Sequence, residues 1–284
     1  MTARTFLPHL DDVGATAGSV TAWKALRAAG TVTSASAMVP CPYYPMAVED
    51  HRENPGQDMG VHVTLTSEWN RYRWRPLSGK AGGLVDDEGF FHRRPQEVLK
   101  SADPNAVEDE IAAQVERAIA DGLNPTHLDA HMGTAYLPGF MERLWAVASR
   151  HGIPVPFFRN AGQLFDAVRV LPADDGLHRE YLAEASRRGD PIFDDFMIGF
   201  TPEGEPAGAF FACRIAAAGP GRHWLALHAN APDDTATFAP HMVWPRTQEH
   251  ALFSGVAGAE LFAGSSVINW HDLPKRQEDG ACVS

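Results

Sequence analysis

The segment Pro125-Thr126-His127-Leu128-Asp129-Ala130-His131 constrains this chain more than any other stretch. Read as a strand, its period of two puts His127, Asp129 and His131 on one face and Leu128 and Ala130 on the other. Three side chains able to hold a metal or move a proton then share a face. Burying them without a ligand would leave several polar groups in need of partners. The pattern predicts a functional site, and the fold must bring further polar side chains to it.

Three other segments offer such side chains. His9-Leu10-Asp11-Asp12-Val13-Gly14 falls where a first strand gives way to a loop. One of its carboxylates could hold a metal while the other takes a proton from water; a turn with a helix cap is the plainer alternative. In Gly60-Val61-His62-Val63-Thr64-Leu65-Thr66, His62 has small polar neighbours on its face, which leaves room for a ligand, or it is a core histidine bonded to a carbonyl. His228 ends the run Trp224-Leu225-Ala226-Leu227 and could be a general acid, or could simply face solvent. Asp, His and His from separate strands can surround one divalent ion with positions left open. Zn²⁺ suits that set, and Mg²⁺ and Mn²⁺ are compatible with it.

Strand-like runs are expected at 5–7, 31–39, 59–66, 125–131, 153–158, 223–229 and 265–270, and helices at 19–29, 103–121, 139–151, 176–188 and 247–262. Alternation of this kind predicts an α/β fold. A distorted or incomplete (β/α) barrel of about seven strands suits the count, with an open doubly wound sheet as the rival. The 284 residues are expected to form one domain (1–284), with rim insertions near 67–100 and 200–222, and with a frayed tail after Pro274.

Composition narrows the function classes. A net charge of −12 and the lack of a dense basic run argue against nucleic acid as a partner. The same charge weakly favours neutral or cationic substrates. Cys41, Cys213 and Cys282 form neither a disulfide framework nor a zinc-finger spacing, which points to a reducing, cytoplasmic setting. Met1 to Leu10 do not read as a signal peptide, and no run reaches the roughly 18 apolar residues of a membrane span. The expected partner is a small-molecule or oligosaccharide substrate, with no membrane partner and room for a homodimer. There is no P-loop, no HExxH and no Gly-x-Ser-x-Gly elbow. Trp69, Tyr72 and Trp74 alternate with arginines after the His62 strand and could stack on a sugar or simply pack.

Taken together, the Asp-Asp-x-Gly near the start, Gly-x-His-x-Thr-Leu-Thr, Pro-Thr-His-x-Asp-x-His, the 32–36 run, Arg159 after Pro156-Phe157-Phe158, and the late His228 resemble the YdjC-like (ChbG/HpnK) carbohydrate deacetylases. The resemblance runs from about Phe6 to about Leu273. It implies a distorted (β/α) barrel and a metal-dependent hydrolase that removes the N-acetyl group from N-acetylated sugars. Carried over, Asp12, His62 and His131 would bind the metal, Mg²⁺ or Zn²⁺. Asp11 would be the general base and His228 the general acid. Arg159 would orient Asp11 or contact substrate. His127 and Asp129 would support the site or touch the sugar, with Trp69 and Trp74 as further substrate-side candidates. The chain departs from the family around this set: His9-Leu10 before the Asp pair, Val13 after it, Met132-Gly133-Thr134-Ala135-Tyr136 after His131, and Ala229-Asn230 after His228. Reaction type therefore carries over further than substrate. Two alternatives remain at this level. One is the chemistry of LmbE-like N-acetylglucosamine deacetylases, with His9 and Asp12 as ligands. The other is a non-catalytic barrel that binds a glycan or metabolite.

Overall fold

The computed structural model describes residues 4–164 and 175–273. Seven parallel strands form a curled, incomplete barrel with helices outside. They are β1 (Arg4–Val13), β2 (Ser34–Ala37), β3 (Met59–Val63), β4 (Leu128–Ala130), β5 (Phe157–Asn160), β6 (Ile192–Met197) and β7 (Gly221–Leu227), in the order β4-β3-β2-β1-β7-β6-β5. Along one side β1 pairs with β7 from Arg4 to Leu10; along the other it pairs with β2 from His9 onward. The edge strands approach each other at one end, where the Leu128 N–H donates to the Pro154 carbonyl at 3.0 Å. The barrel of parallel strands was expected; the doubly wound alternative is excluded by this strand order.

Local chemistry explains the helices that position the strands. Helix α1 (Ala17–Ala29) starts on a capping box between Thr16 and Ser19 and stops at Gly30, whose φ of 69° is left-handed. Helix α4 (Pro104–Ala120), which follows the short α3 (Pro95–Ser101), is capped by Asp103 and has proline in its first turn. Helix α2 (Tyr44–Glu53) was not expected, nor was β6. Asp194 and Asp195 interrupt the apolar run of β6, and both find partners across the sheet. Asp194 Oδ2 accepts from the Arg222 N–H at 2.8 Å, and Asp195 Oδ2 lies 2.9 Å from His223 Nδ1.

Two expected features change. The 265–270 strand is reduced to β8 (Ser266–Val267), a two-residue edge on the start of β1. The stretch read as a rim insertion at 200–222 contains a helix, Ala207–Ala217, which forms the connection between β6 and β7. The loop from 67 to 94 carries only an isolated Val85–Phe91 bridge among regular pairings of its described residues. The tail after Pro274 and Cys282 lie outside the described residues.

Aromatic rings fill the bottom of the barrel. Trp224 on β7 meets Phe193 on β6 edge-on at 5.3 Å, and Trp270 stacks on the His127 ring at 4.3 Å. Gly60 on β3 makes room for His127: a Cβ there would lie 2.5 Å from His127 Nε2. Gly60→Ala should therefore force the floor to shift and lower stability by about 1–3 kcal/mol, read as a fall in the denaturation midpoint. An unchanged midpoint would mean that the floor is loosely packed.

Candidate active site

Adjacent residues on a regular strand point to opposite faces, yet Asp11 and Asp12 both line one cleft at the end of β1. The backbone explains this. Pairing with β2 advances from Leu10–Ala35 to Val13–Ala37, so β1 carries one extra residue, and Asp12 sits at φ 63°. Aspartate tolerates that left-handed geometry better than most residues. The Asp12 side chain is fixed by a buried arginine: Arg246 Nη2 donates to its Oδ2 at 2.7 Å. Burial pushes the Asp12 carboxyl up, but Arg246 and His131 outweigh it and hold it well below the usual range. Asp11 lacks such a partner, and burial raises its carboxyl well above that range.

Two imidazoles face Asp12 Oδ1. His131 Nδ1 lies at 3.0 Å and His62 Nε2 at 3.5 Å. Each ring is held by its other nitrogen. His62 Nδ1 is 2.9 Å from Asp129 Oδ1 and 3.0 Å from Ser36 Oγ, and the Ser36 hydroxyl donates to Asp129 Oδ2 at 2.9 Å. His131 Nε2 is 3.1 Å from Glu68 Oε2. A carboxylate behind a ligating imidazole fixes its tautomer and aims the opposite nitrogen. His131 is presented by a sharp reversal in which Met132 and Gly133 have φ values of 49° and 61°.

These residues fit a divalent cation. Ligand-capable atoms of Asp12, His62 and His131 all lie within 4.8 Å of one another. Ligand atoms around a tetrahedral ion with bonds near 2.0–2.2 Å are separated by about 3.3–3.5 Å, close to the 3.0 and 3.5 Å found here. Asp11 Oδ1 and Asp12 Oδ1 are buried without a hydrogen-bond partner. Although His131 Nδ1 is near Asp12 Oδ1, the pair lacks hydrogen-bond geometry, as two ligands of one ion would. The cluster also attracts positive charge. Burial lowers the His131 pKa, but Glu68 and Asp12 outweigh it and bring it to about 9. The same field favours a bound cation.

The cleft has a volume of about 290 Å³ and also includes His228, whose Nε2 is 3.7 Å from Asp11 Oδ2. The backbone N–H of His228 donates to Glu249 Oε2 at 2.6 Å, and burial raises the Glu249 carboxyl to about 8. Trp69 lines the cleft. Trp74 does not; its indole N–H donates to the Thr66 carbonyl at 2.8 Å, and its ring lies 6.4 Å from His131.

Several expected residues stand elsewhere. Arg159 does not reach Asp11: it is largely exposed and pairs with Asp194 at 3.2 Å, because β5 ends with this side chain turned to the surface. The arginine at the carboxylate pair is Arg246, contributed by helix Pro240–Phe253. His127 is fully buried on Trp270 beneath the cleft, so it does not touch substrate, whereas Asp129 lines the cleft and supports His62. His9 is also buried below, with its ring nitrogens 2.9 Å from Ser34 Oγ and 3.0 Å from Ser36 Oγ. That placement removes the reading in which His9 and Asp12 are joint ligands. Arg246, Glu68, Ser36 and Glu249 were not anticipated. Only Ser36, two residues after Ser34 on β2, had a readable signal, as a small polar residue on an inward face.

A model of the YdjC-like protein family matches residues 9–262. The chain is 32% identical over 186 residues to a carbohydrate deacetylase of Thermus thermophilus, covering 59% of this chain and 66% of the relative. It is 32% identical over 154 residues to a carbohydrate deacetylase of Brevibacillus brevis, covering 54% and 59%. The matches thus span about two thirds or less of those relatives' own lengths. A solved structure of a proposed cellobiose-phosphate cleavage protein from Enterococcus faecalis superimposes with a TM-score of 0.76 over 95% of this chain and 98% of that one, at 19% identity, a likeness of fold. With the family match extending across the strands that carry both aspartates and all three site histidines, this chain belongs to the YdjC-like family.

Proposed function

We propose that the protein is a metal-dependent amidohydrolase that removes an N-acyl group, N-acetyl in the simplest case, from a sugar. The observation that carries this reading is the convergence of Asp12, His62 and His131, with buried carboxylate oxygens of Asp11 and Asp12 left unpartnered beside them. The naming of the relatives as carbohydrate deacetylases supports the same reaction class.

Asp12, His62 and His131 would hold a divalent ion, Zn²⁺ or Mg²⁺. Such an ion supplies Lewis acidity that lowers the pKa of a bound water and polarises an amide carbonyl. Asp11 takes the proton of the attacking water, since burial has raised its affinity for one. The water oxygen bonds to the acyl carbon, the C–N bond breaks, and the amine nitrogen must gain a proton. His228 lines the cleft with Nε2 3.7 Å from Asp11 Oδ2, where it would face the leaving amine. Burial lowers its pKa to about 3, despite the opposing pull of Asp12, so it is neutral at rest. His228 would pass to the amine the proton that Asp11 accepts, across the 3.7 Å between its Nε2 and Asp11 Oδ2. Arg246 keeps Asp12 ionised and fixed, and the cleft walls limit access of bulk water.

The purified protein should contain a divalent metal and release acetate from N-acetylglucosamine or a short N-acetylated oligosaccharide. Asp12→Ala and His131→Ala should lose both metal and activity. Asp11→Asn should keep the metal and lose about 10²–10⁴-fold in kcat. Full activity after exhaustive chelation would overturn the reading, and binding of the sugar with no amine release would favour a non-catalytic barrel. Removing the Arg246 charge should leave Asp12 buried and unpaired. Arg246→Met should destabilise the fold by about 3–5 kcal/mol in metal-free buffer, measured by denaturant unfolding; a loss below about 1 kcal/mol would show that Asp12 is well solvated.

A further inference from the structure

We propose that the apolar half of the cleft is an acyl-chain subsite, so that the group removed is an alkanoyl chain several carbons longer than acetyl. This rests on the amidohydrolase reading and names its substrate class. Apart from the reacting pair Asp11 and His228 and the exposed His241, the polar side chains that line the cleft are engaged with one another: Asp12 with Arg246, His62 with Asp129, and His131 with Glu68. The remaining wall is apolar. Its part next to β5 comprises Phe158 on β5, Phe196 on β6, Trp224 on β7, Tyr136 and Met132 from the turn after β4, and Leu164.

The rings of this wall form one continuous surface. Phe158 lies 4.9 Å from Phe196, 6.0 Å from Trp224 and 6.1 Å from Tyr136, centre to centre. The Tyr136 hydroxyl and the Trp224 indole nitrogen are sealed within it without partners, so the wall presents little to pair with sugar hydroxyls. A pyranose placed there would leave its hydroxyls unsatisfied, which is costly, whereas a methylene chain would meet carbon on every side. The cleft volume of about 290 Å³ is far more than an acetyl methyl would fill, and a separate void of about 20 Å³ lies behind Tyr136, Phe158 and Leu164.

The polarity of the site gives the direction. His228, the proton donor to the amine, packs against Phe200 at 4.9 Å, and Phe200 is 38% exposed. The sugar therefore sits on that side, toward solvent. The acyl chain runs the other way, toward the seam between β4 and β5, with β5 two strands from β7.

The test is an acyl-length series. Metal-loaded protein is assayed for amine release from N-acetyl-, N-butanoyl- and N-hexanoyl-glucosamine. The expected result is a rise in kcat/KM of roughly fourfold per buried methylene, lost in Leu164→Trp, which fills the subsite. Turnover of the acetyl compound with falling kcat/KM along the series would overturn the subsite and leave the amidohydrolase reading intact; the wall would then serve to stack a sugar ring. A second series removes dependence on turnover: binding of acetate, butanoate and hexanoate, followed by tryptophan fluorescence. Affinity rising with chain length supports the subsite even if no amide is cleaved, a result that would count against the amidohydrolase reading alone. Affinity flat along the series overturns the subsite.

Discussion

Two neighbouring carboxylates, Asp11 and Asp12, are buried side by side at the mouth of a barrel, and the surrounding structure is arranged to make that tolerable. Like charges this close cannot both be ionised without compensation. The compensation is unequal. Asp12 has a buried arginine and two imidazoles, whereas Asp11 has no arginine and only the imidazoles of His9 at 3.4 Å and His228 at 3.7 Å. Asp12 is thereby held as an anion while Asp11 has a raised affinity for a proton, a division that the proposed metal-assisted hydrolysis would use. The left-handed backbone at Asp12 is part of the same arrangement, since a regular strand would send one of the two carboxylates away from the cleft.

The barrel supplies the support in layers. Trp224, Trp270, Phe193 and His127 form the floor. His9, Ser34, Ser36 and Asp129 form a hydrogen-bonded layer above it, and Asp129 passes that support directly to His62. The residues that face the cleft therefore rest on groups with few alternative arrangements. That rigidity is what keeps ligand atoms about 3 Å apart without a hydrogen bond between them.

Much of this was legible in the sequence where local periodicity carried it. His127, Asp129 and His131 were placed on one face because strands alternate, and alternation over 59–66 marked β3 in the same way; β1 was read only over 5–7 of its full Arg4–Val13. What was missed depends on contacts between distant segments. Arg246 is 234 residues from Asp12 and lies in no motif. Glu68 follows the β3 strand after its alternation has ended. The β6 strand was hidden because Asp194 and Asp195 break its apolar pattern, and their partners, Arg222 and His223, come from β7. Arg159 was misassigned because its strand-end position suggested the cleft, while the end of β5 turns it outward to Asp194. His127 shares a face with His131 but sits one layer lower, a difference in depth that period alone does not reveal.

The central claim is that one divalent cation is shared by Asp12, His62 and His131, with Asp129 and Glu68 behind the two imidazoles. The most direct measurement is a crystal structure of the metal-soaked protein with anomalous data collected at the absorption edge of the ion. The account predicts a single strong peak bonded to Asp12, His62 and His131, with Asp11 beside it and not bridging. A peak on the deeper trio His9, His127 and Asp129, where ligand-capable atoms also converge, or no peak within bonding distance of Asp12, would contradict it.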